Sequence, residues 1–129
     1  MHEMKFQEPK RISKEDVEAA IERCDPEELL EVPISVSLYD QNPRWAELVC
    51  LGLSAHAHPV VRGNAVLGFG HLARRFGKLE FEDVITELVE DALHDRDEYV
   101  RSQANAAADD MEQFLSCRIN KESKINQKV

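Results

Sequence analysis

Two histidines separated by one residue, His56 and His58, form the clearest pattern of possible metal ligands in the chain. A protein metal site needs at least three or four protein ligands, usually supported by further hydrogen bonds. No other Cys or His lies close to this pair in the sequence. We therefore predict no metal site, and we expect both histidines to cap or pack against a turn.

Acidic side chains at Asp109, Asp110 and Glu112 are candidates for acid–base catalysis. Neighbouring residues on a helix point about 100° apart, so the two adjacent carboxylates cannot easily address one substrate atom. The sequence also contains no recognisable Ser-His-Asp or Cys-His signature. These patterns predict a protein that is not an enzyme.

The glycines at Gly68 and Gly70 lie inside a helical period, just before a small basic cluster. No strand precedes them, so they do not form a phosphate-binding loop. Each costs a helix about 1 kcal/mol, which predicts close approach of another backbone, either a neighbouring helix or a ligand. His71 and Arg74 then lie on the exposed side of this helix. They bind an anion or pair with the acidic outer face of the helix predicted at 81–94, and the acidity of the chain favours pairing.

Charge is distributed unevenly along the 129 residues, whose formal net charge is −9. The segment 80–112 contains twelve acidic and two basic residues, a net charge of −10, so the remaining residues are close to neutral. Such a surface repels phosphates, which argues against nucleic acid as the main ligand. It favours a basic protein partner, and the alternative is a solvated surface that maintains solubility.

The elements that position these residues are amphipathic helices. Residues 58–76 carry apolar side chains at helical spacing, and Pro59 suits the first turn. The pattern returns 39 residues later, with Arg62 corresponding to Arg101, and a second amphipathic segment at 81–94 precedes this copy. A helix pair repeated at this period is typical of an α-solenoid.

The residues from Asp95 to Ala104 read D-x4-V-R-x2-A, which resembles the turn between the two helices of a HEAT repeat. In that family the Asp and Arg of successive repeats form an internal ladder. The resemblance therefore implies that Asp95, Arg101 and Arg62 are structural ladder residues. The first copy departs from the pattern, because His56 stands where the family has Asp.

The resemblance and the helical periods predict an all-α fold, a short right-handed α-solenoid of about three HEAT-like helix pairs. Pro33 interrupts the segment 26–39, where a broken helix is favoured over a strand. The expected boundaries are a flexible arm at 1–12, one domain at 13–117 with helix pairs 13–39, 43–77 and 81–117, and a polar, basic, frayed tail at 118–129.

Three widely spaced cysteines without a CxxC pair, and no secretory leader, predict reduced thiols in a cytoplasmic protein. No apolar run is long enough to span a membrane. We expect a monomer when the protein is free, and no cofactor.

Function is expected to lie in binding, because repeated helices supply surface and the sequence supplies no catalytic pattern. In such stacks the second helices line a concave face, which should also include Asn64. The residues predicted to bind a partner are Asp109, Asp110, Glu112, Gln113, Glu87, Glu90, Asp91, His71 and Arg74.

By size, fold and charge the chain looks like the immunity proteins that neutralise secreted nuclease toxins, some of which are HEAT-like. This analogy implies a small acidic inhibitor of a basic bacterial toxin. The alternative is a HEAT-like scaffold or regulatory subunit that binds a peptide, an enzyme or a chromophore.

Overall fold

The computed structural model describes residues 10–122 and folds them into seven α-helices with no strand. Within this part of the chain, every helix is too short or too polar to cross a lipid bilayer. The prediction of an all-α protein is confirmed for these residues. The helices are α1 (Lys14–Arg23), α2 (Pro26–Leu29), α3 (Val32–Tyr39), α4 (Pro43–Leu53), α5 (Pro59–Phe76), α6 (Glu82–Ala92) and α7 (Glu98–Leu115).

Most helices begin at a side chain that caps the first turn. In five of the seven, the residue before the helix accepts a hydrogen bond from a backbone N–H of that turn. The helix α5 ends at Gly77, whose left-handed backbone (φ 68°) places its N–H on the carbonyl of Ala73. The capping residues are Ser13, Asp25, Asn42, His58 and Asp97.

The ambiguous segment 26–39 is helical in two parts. The helix α2 ends at Leu29, and α3 begins at Val32. Pro33 lies in the first turn of α3, where a missing N–H interrupts no intrahelical hydrogen bond. The prediction of a broken helix is confirmed.

The helix α5 is the centre of the fold. It contacts α3, α4, α6 and α7, and ten of its eighteen residues are buried. The helices α3 and α4 also contact each other, as do α6 and α7, so α5 joins an N-terminal and a C-terminal group of helices. The side of α7 that faces the core consists of the buried residues Val100, Ala104, Ala107, Ala108 and Met111, and Leu115 at its end is half-buried.

Glycines allow the neighbouring helices to approach α5 closely. A Cβ atom built on Gly68 would lie 2.8 Å from Sγ of Cys50 and 3.3 Å from Cβ of Ser37. A Cβ atom on Gly70 would lie 3.0 Å from Cα of Ala107 in α7. The close approach predicted at these glycines is therefore confirmed, and neighbouring helices make it.

The chain beyond α7 turns back onto the domain. Ile119 is 4% exposed, and its N–H donates to Oε2 of Glu112 at 3.1 Å. The N–H of Asn120 donates to Oε2 of Glu90 at 2.8 Å. Residues 118–122 of the predicted frayed tail thus lie against α6 and α7, because two carboxylates accept their backbone N–H groups.

Residues 10–12 of the predicted flexible arm also form hydrogen bonds to the domain. The Ser35 hydroxyl accepts a hydrogen bond from the N–H of Ile12 at 3.2 Å and donates to the carbonyl of Lys10. Residues 1–9 of the arm and 123–129 of the tail lie outside the described residues.

We expect Gly68→Ala to lower the free energy of unfolding by about 1–3 kcal/mol. The added methyl group would overlap the buried sulfur of Cys50. The loss of stability from this overlap exceeds the gain in helix propensity of about 1 kcal/mol. Gly52→Ala is the matched control, because a Cβ atom on this α4 glycine meets nothing within 4 Å. Chemical denaturation of both variants should show the control unchanged or more stable. Equal stabilisation of the two would contradict the close packing at Gly68.

Candidate partner-binding surface

The turns that precede α5 and α7 use the same hydrogen bonds with different side chains. His56 Nδ1 accepts from the N–H of His58 at 2.9 Å, and His58 Nδ1 accepts from the N–H of Val60 at 3.2 Å. In the later turn, Asp95 Oδ1 accepts from the N–H of Asp97 at 2.9 Å, and Asp97 caps α7 in the same way. The prediction that the two histidines cap a turn is confirmed.

An arginine–carboxylate pair joins the two turns. Arg62 Nε lies 2.9 Å from Asp95 Oδ2, and its Nη2 lies 2.8 Å from Asp95 Oδ1, so the contact is bidentate. Both side chains are largely buried, at 13% and 17% exposure. The hydrogen bonds from Arg62 hold the pKa of Asp95 below its ordinary value, although burial acts in the opposite direction.

Arg101 contacts the backbone of Asp95 and not its carboxylate. Arg101 Nη1 donates to the backbone carbonyl of Asp95 at 2.7 Å, while Arg62 holds the carboxylate. Arg62 Nη1 makes the corresponding contact in the turn before α5, with the carbonyl of His56 at 3.0 Å. The sequence pattern singled out these residues but did not indicate which of the two arginines reaches the carboxylate.

The helices α5 and α7 bring three of the predicted binding residues together. Arg74 Nη1 lies 3.7 Å from Asp110 Oδ2, and Arg74 Nη2 lies 3.3 Å from His71 Nδ1. A guanidinium can only donate, so this ring nitrogen of His71 accepts. Arg74 thus pairs with an acid of α7, and not with the acidic outer face of the segment 81–94 as expected. We call His71, Arg74, Asp109, Asp110 and Gln113 the inner surface.

The imidazole of His71 is held in its neutral form. Burial lowers its pKa, and the charge of Arg74 lowers it further, against the opposing effect of Asp110. Within the inner surface, Arg74, Asp109 and Gln113 are exposed, and the Asp109 side chain is 75% accessible. Lys121 Nζ lies 3.8 Å from Asp109, a separation that leaves this carboxylate open to another cation.

The other predicted acids lie elsewhere. Glu87 and Asp91 are exposed on the solvent side of α6. Glu90 and Glu112 are half-buried and accept backbone N–H groups from the segment 118–122. These last two carboxylates are occupied within the chain, which the sequence pattern could not indicate because it does not show where the tail folds.

Two polar residues have structural roles that the sequence analysis missed. Asn64, expected on the concave face, is 4% exposed; it donates to the carbonyl of Leu30 at 2.7 Å and accepts from the Tyr99 hydroxyl at 2.5 Å. Glu47 is 1% exposed and accepts the N–H groups of Glu80 and Phe81, both at 2.9 Å, which fixes the start of α6. A lone acid within the apolar segment of α4 was the available signal for Glu47.

A further side chain that could react, the thiol of Cys50, is also buried within the fold. Burial raises the pKa of the Cys50 thiol to about 12, which suppresses the reactive thiolate. Across residues 10–122, no three or more His, Cys, Asp or Glu side chains are grouped so that they could hold a metal ion.

We expect Asp95→Asn to lower the free energy of unfolding by about 1–3 kcal/mol, because the largely buried Arg62 guanidinium loses its charged acceptor. Glu22→Gln removes one negative charge from an exposed position of α1 and serves as the control. Urea denaturation at neutral pH should leave the control within about 0.5 kcal/mol of the wild type. If both variants match the wild type, the pair does not stabilise the fold.

The same pair should make stability depend on pH. The folded-state pKa of Asp95 is depressed, so its contribution is present above the unfolded value of about 3.9 and is lost as the pH falls through the lower folded value. The stability difference between the wild type and Asp95→Asn should therefore shrink from neutral pH towards about pH 2. A difference that stays constant over this range would contradict the depressed pKa.

Comparison with solved structures identifies a chain of similar fold. No protein-family profile and no curated protein matches the chain. The fold is similar to a chain in the crystal structure of a CDI complex from Cupriavidus taiwanensis LMG 19424, with a TM-score of 0.73 and 27% sequence identity. The similarity covers 87% of this chain and 98% of that chain.

Proposed function

We propose that this protein is an immunity protein, a small inhibitor that binds and neutralises a bacterial toxin. The observation that carries the proposal is the similarity to a chain of a CDI complex over nearly the whole length of that chain. CDI denotes contact-dependent inhibition, in which a toxin is paired with an immunity protein. The extent of the match supports the same kind of binding role here.

The inhibitor side of such a pair fits the chemistry of this chain better than the toxin side. The histidines at His56 and His58 cap turns, and the thiol of Cys50 is buried. Glu47 is occupied by backbone N–H groups, and His71 accepts from Arg74. These side chains would have to leave their present partners to act on a substrate.

The charge of the chain supports a basic partner. A net charge of −9 would attract a cationic protein over long range and accelerate its association. A toxin that cleaves nucleic acid presents cations to hold phosphates, so a nuclease is the favoured class of partner. The three cysteines are free thiols, which suits an inhibitor that acts in the reducing cytoplasm.

The architecture proposed for this role is a short right-handed HEAT-like solenoid. This architecture is supported by the contacts of α5 with α3 and with α7. It is also supported by the Arg62–Asp95 pair, which joins the turn before α5 to the turn before α7. In this arrangement the inner surface is the concave face. It presents the exposed Asp109 beside the Arg74–Asp110 pair.

Asp109 is the residue that we expect to meet a cation of the toxin. Its carboxylate is the most accessible acid of the inner surface, whereas Asp110 is 26% exposed and lies beside Arg74. Glu87, Glu90, Asp91 and Glu112 form a second acidic region that contributes long-range attraction. Direct contact is proposed at Asp109, Asp110, Gln113, His71 and Arg74.

The test requires the cognate toxin domain, to be sought among the products of the genes that flank the gene for this chain. Asp109→Lys should slow association with that domain about fivefold or more at low salt, and the effect should weaken as salt rises. Glu87→Lys makes the same change of charge on the solvent side of α6 and should have a smaller effect. Stopped-flow or surface-based kinetics would measure both rates.

A wild-type chain that neither binds nor neutralises this toxin domain would contradict the proposed function. If binding occurs but Asp109→Lys and Glu87→Lys slow it equally, the attraction is unspecific and the inner surface is not the contact. Circular dichroism melting curves of both variants would show whether each remains folded.

A further inference from the structure

We propose that the Nε–Nη2 edge of Arg101 is a binding site for a carboxylate side chain of the partner protein. The inference rests on the proposed inhibitor function, because it names a second contact for the same partner. It starts from a comparison between the two arginines of the turns, Arg62 and Arg101, which are 39 residues apart in the sequence.

The two arginines begin from the same local geometry. The N–H of Arg62 donates to the carbonyl of His58 at 3.0 Å, and the N–H of Arg101 donates to the carbonyl of Asp97 at 3.1 Å. Each side chain then folds back so that Nη1 donates to the carbonyl six residues earlier, at 3.0 Å and 2.7 Å. The two guanidinium groups thus share one backbone contact, and Arg62 Nη1 donates in addition to the carbonyl of Ala57 at 3.1 Å.

The other edge of the guanidinium distinguishes them. Nε and Nη2 of Arg62 hold both oxygens of Asp95, which belongs to the following turn. Among residues 10–122, no side chain or carbonyl accepts from Nε or Nη2 of Arg101. Arg101 therefore presents the same Nε–Nη2 edge with which Arg62 binds the carboxylate of Asp95.

Part of the surrounding surface is open. Arg101, Asn105 and Glu112 are spaced to share one side of α7. The segment 118–122 covers this side at its C-terminal end, where Ile119 donates to Glu112. Asn105 is exposed and Arg101 is partly exposed, so the described chain leaves the N-terminal half of this side accessible.

A carboxylate is the ligand that this edge fits best. The spacing of Nε and Nη2 matches the two oxygens of Asp or Glu, as the distances of 2.9 and 2.8 Å at Arg62 demonstrate. On an inhibitor with so many acids, a cationic contact of this kind would select among basic partners. Only a toxin with an acid at the matching position would satisfy Arg101.

The first test needs no partner. The Nε–Hε resonances of the arginines are followed by NMR during titration with sodium acetate, with sodium chloride at equal ionic strength as the reference. Arg101→Lys assigns the Arg101 signal. We expect this signal to shift more than that of the exposed Arg96, whereas Arg62 should respond little because its edge is filled. An Arg101 response no larger than that of Arg96 overturns the proposal.

The second test measures binding of the cognate toxin domain, once identified as above, to Arg101→Gln, Arg101→Lys and the control Arg96→Gln. Both Arg101 variants should raise Kd by about tenfold or more. The lysine variant keeps the charge but loses the planar fork, so a similar loss in both identifies bidentate contact. The melting temperatures should fall less than that of Arg62→Gln.

The remaining outcomes separate the two proposals. If the wild-type chain does not bind the toxin domain, the inhibitor function fails, and the acetate titration alone decides the site. If the toxin binds the Arg101 variants as it binds Arg96→Gln, the site is wrong and the function stands. A melting temperature lowered as far as in Arg62→Gln would show that Arg101 is structural. Self-association of the wild type that Arg101→Gln abolishes, measured by light scattering, would assign the carboxylate to a second copy of this chain.

Discussion

The close packing of α5 against its neighbours is the constraint on which the rest of the structure depends. Because α5 contacts four helices, its backbone must come near theirs, and a side chain at Gly68 or Gly70 would block that approach. The same approach brings Arg74 of α5 within reach of Asp110 of α7. The geometry that completes the core therefore also assembles the inner surface.

The turns before α5 and α7 form the same hydrogen bonds with different acceptor groups. Imidazole nitrogens accept the backbone N–H groups at His56 and His58, whereas carboxylates accept them at Asp95 and Asp97. The carboxylate of Asp95 can in addition hold an arginine from another turn, so a bidentate pair forms between Arg62 and Asp95.

The number of acidic residues overstates the surface that a partner can use. Glu47, Glu90 and Glu112 accept backbone N–H groups of this chain, so their charge stabilises the start of α6 and the position of residues 118–122. The carboxylate of Asp95 is paired with Arg62. Asp109 remains largely accessible, which concentrates the expected contact on a small part of the acidic segment.

Helix periodicity and capping residues were sufficient to predict the all-α fold, the limits of α5 and the broken helix at 26–39, because these signals act between residues close in sequence. They also indicated that Gly68 and Gly70 mark a close approach, whereas only the resemblance to HEAT repeats singled out Arg62 and Asp95. Tertiary structure decided which arginine reaches the Asp95 carboxylate, the burial of Asn64 and Glu47, and the docking of Ile119. Each of these features depends on groups that meet only after the helices pack. A pattern among neighbouring residues does not show which distant groups will come into contact.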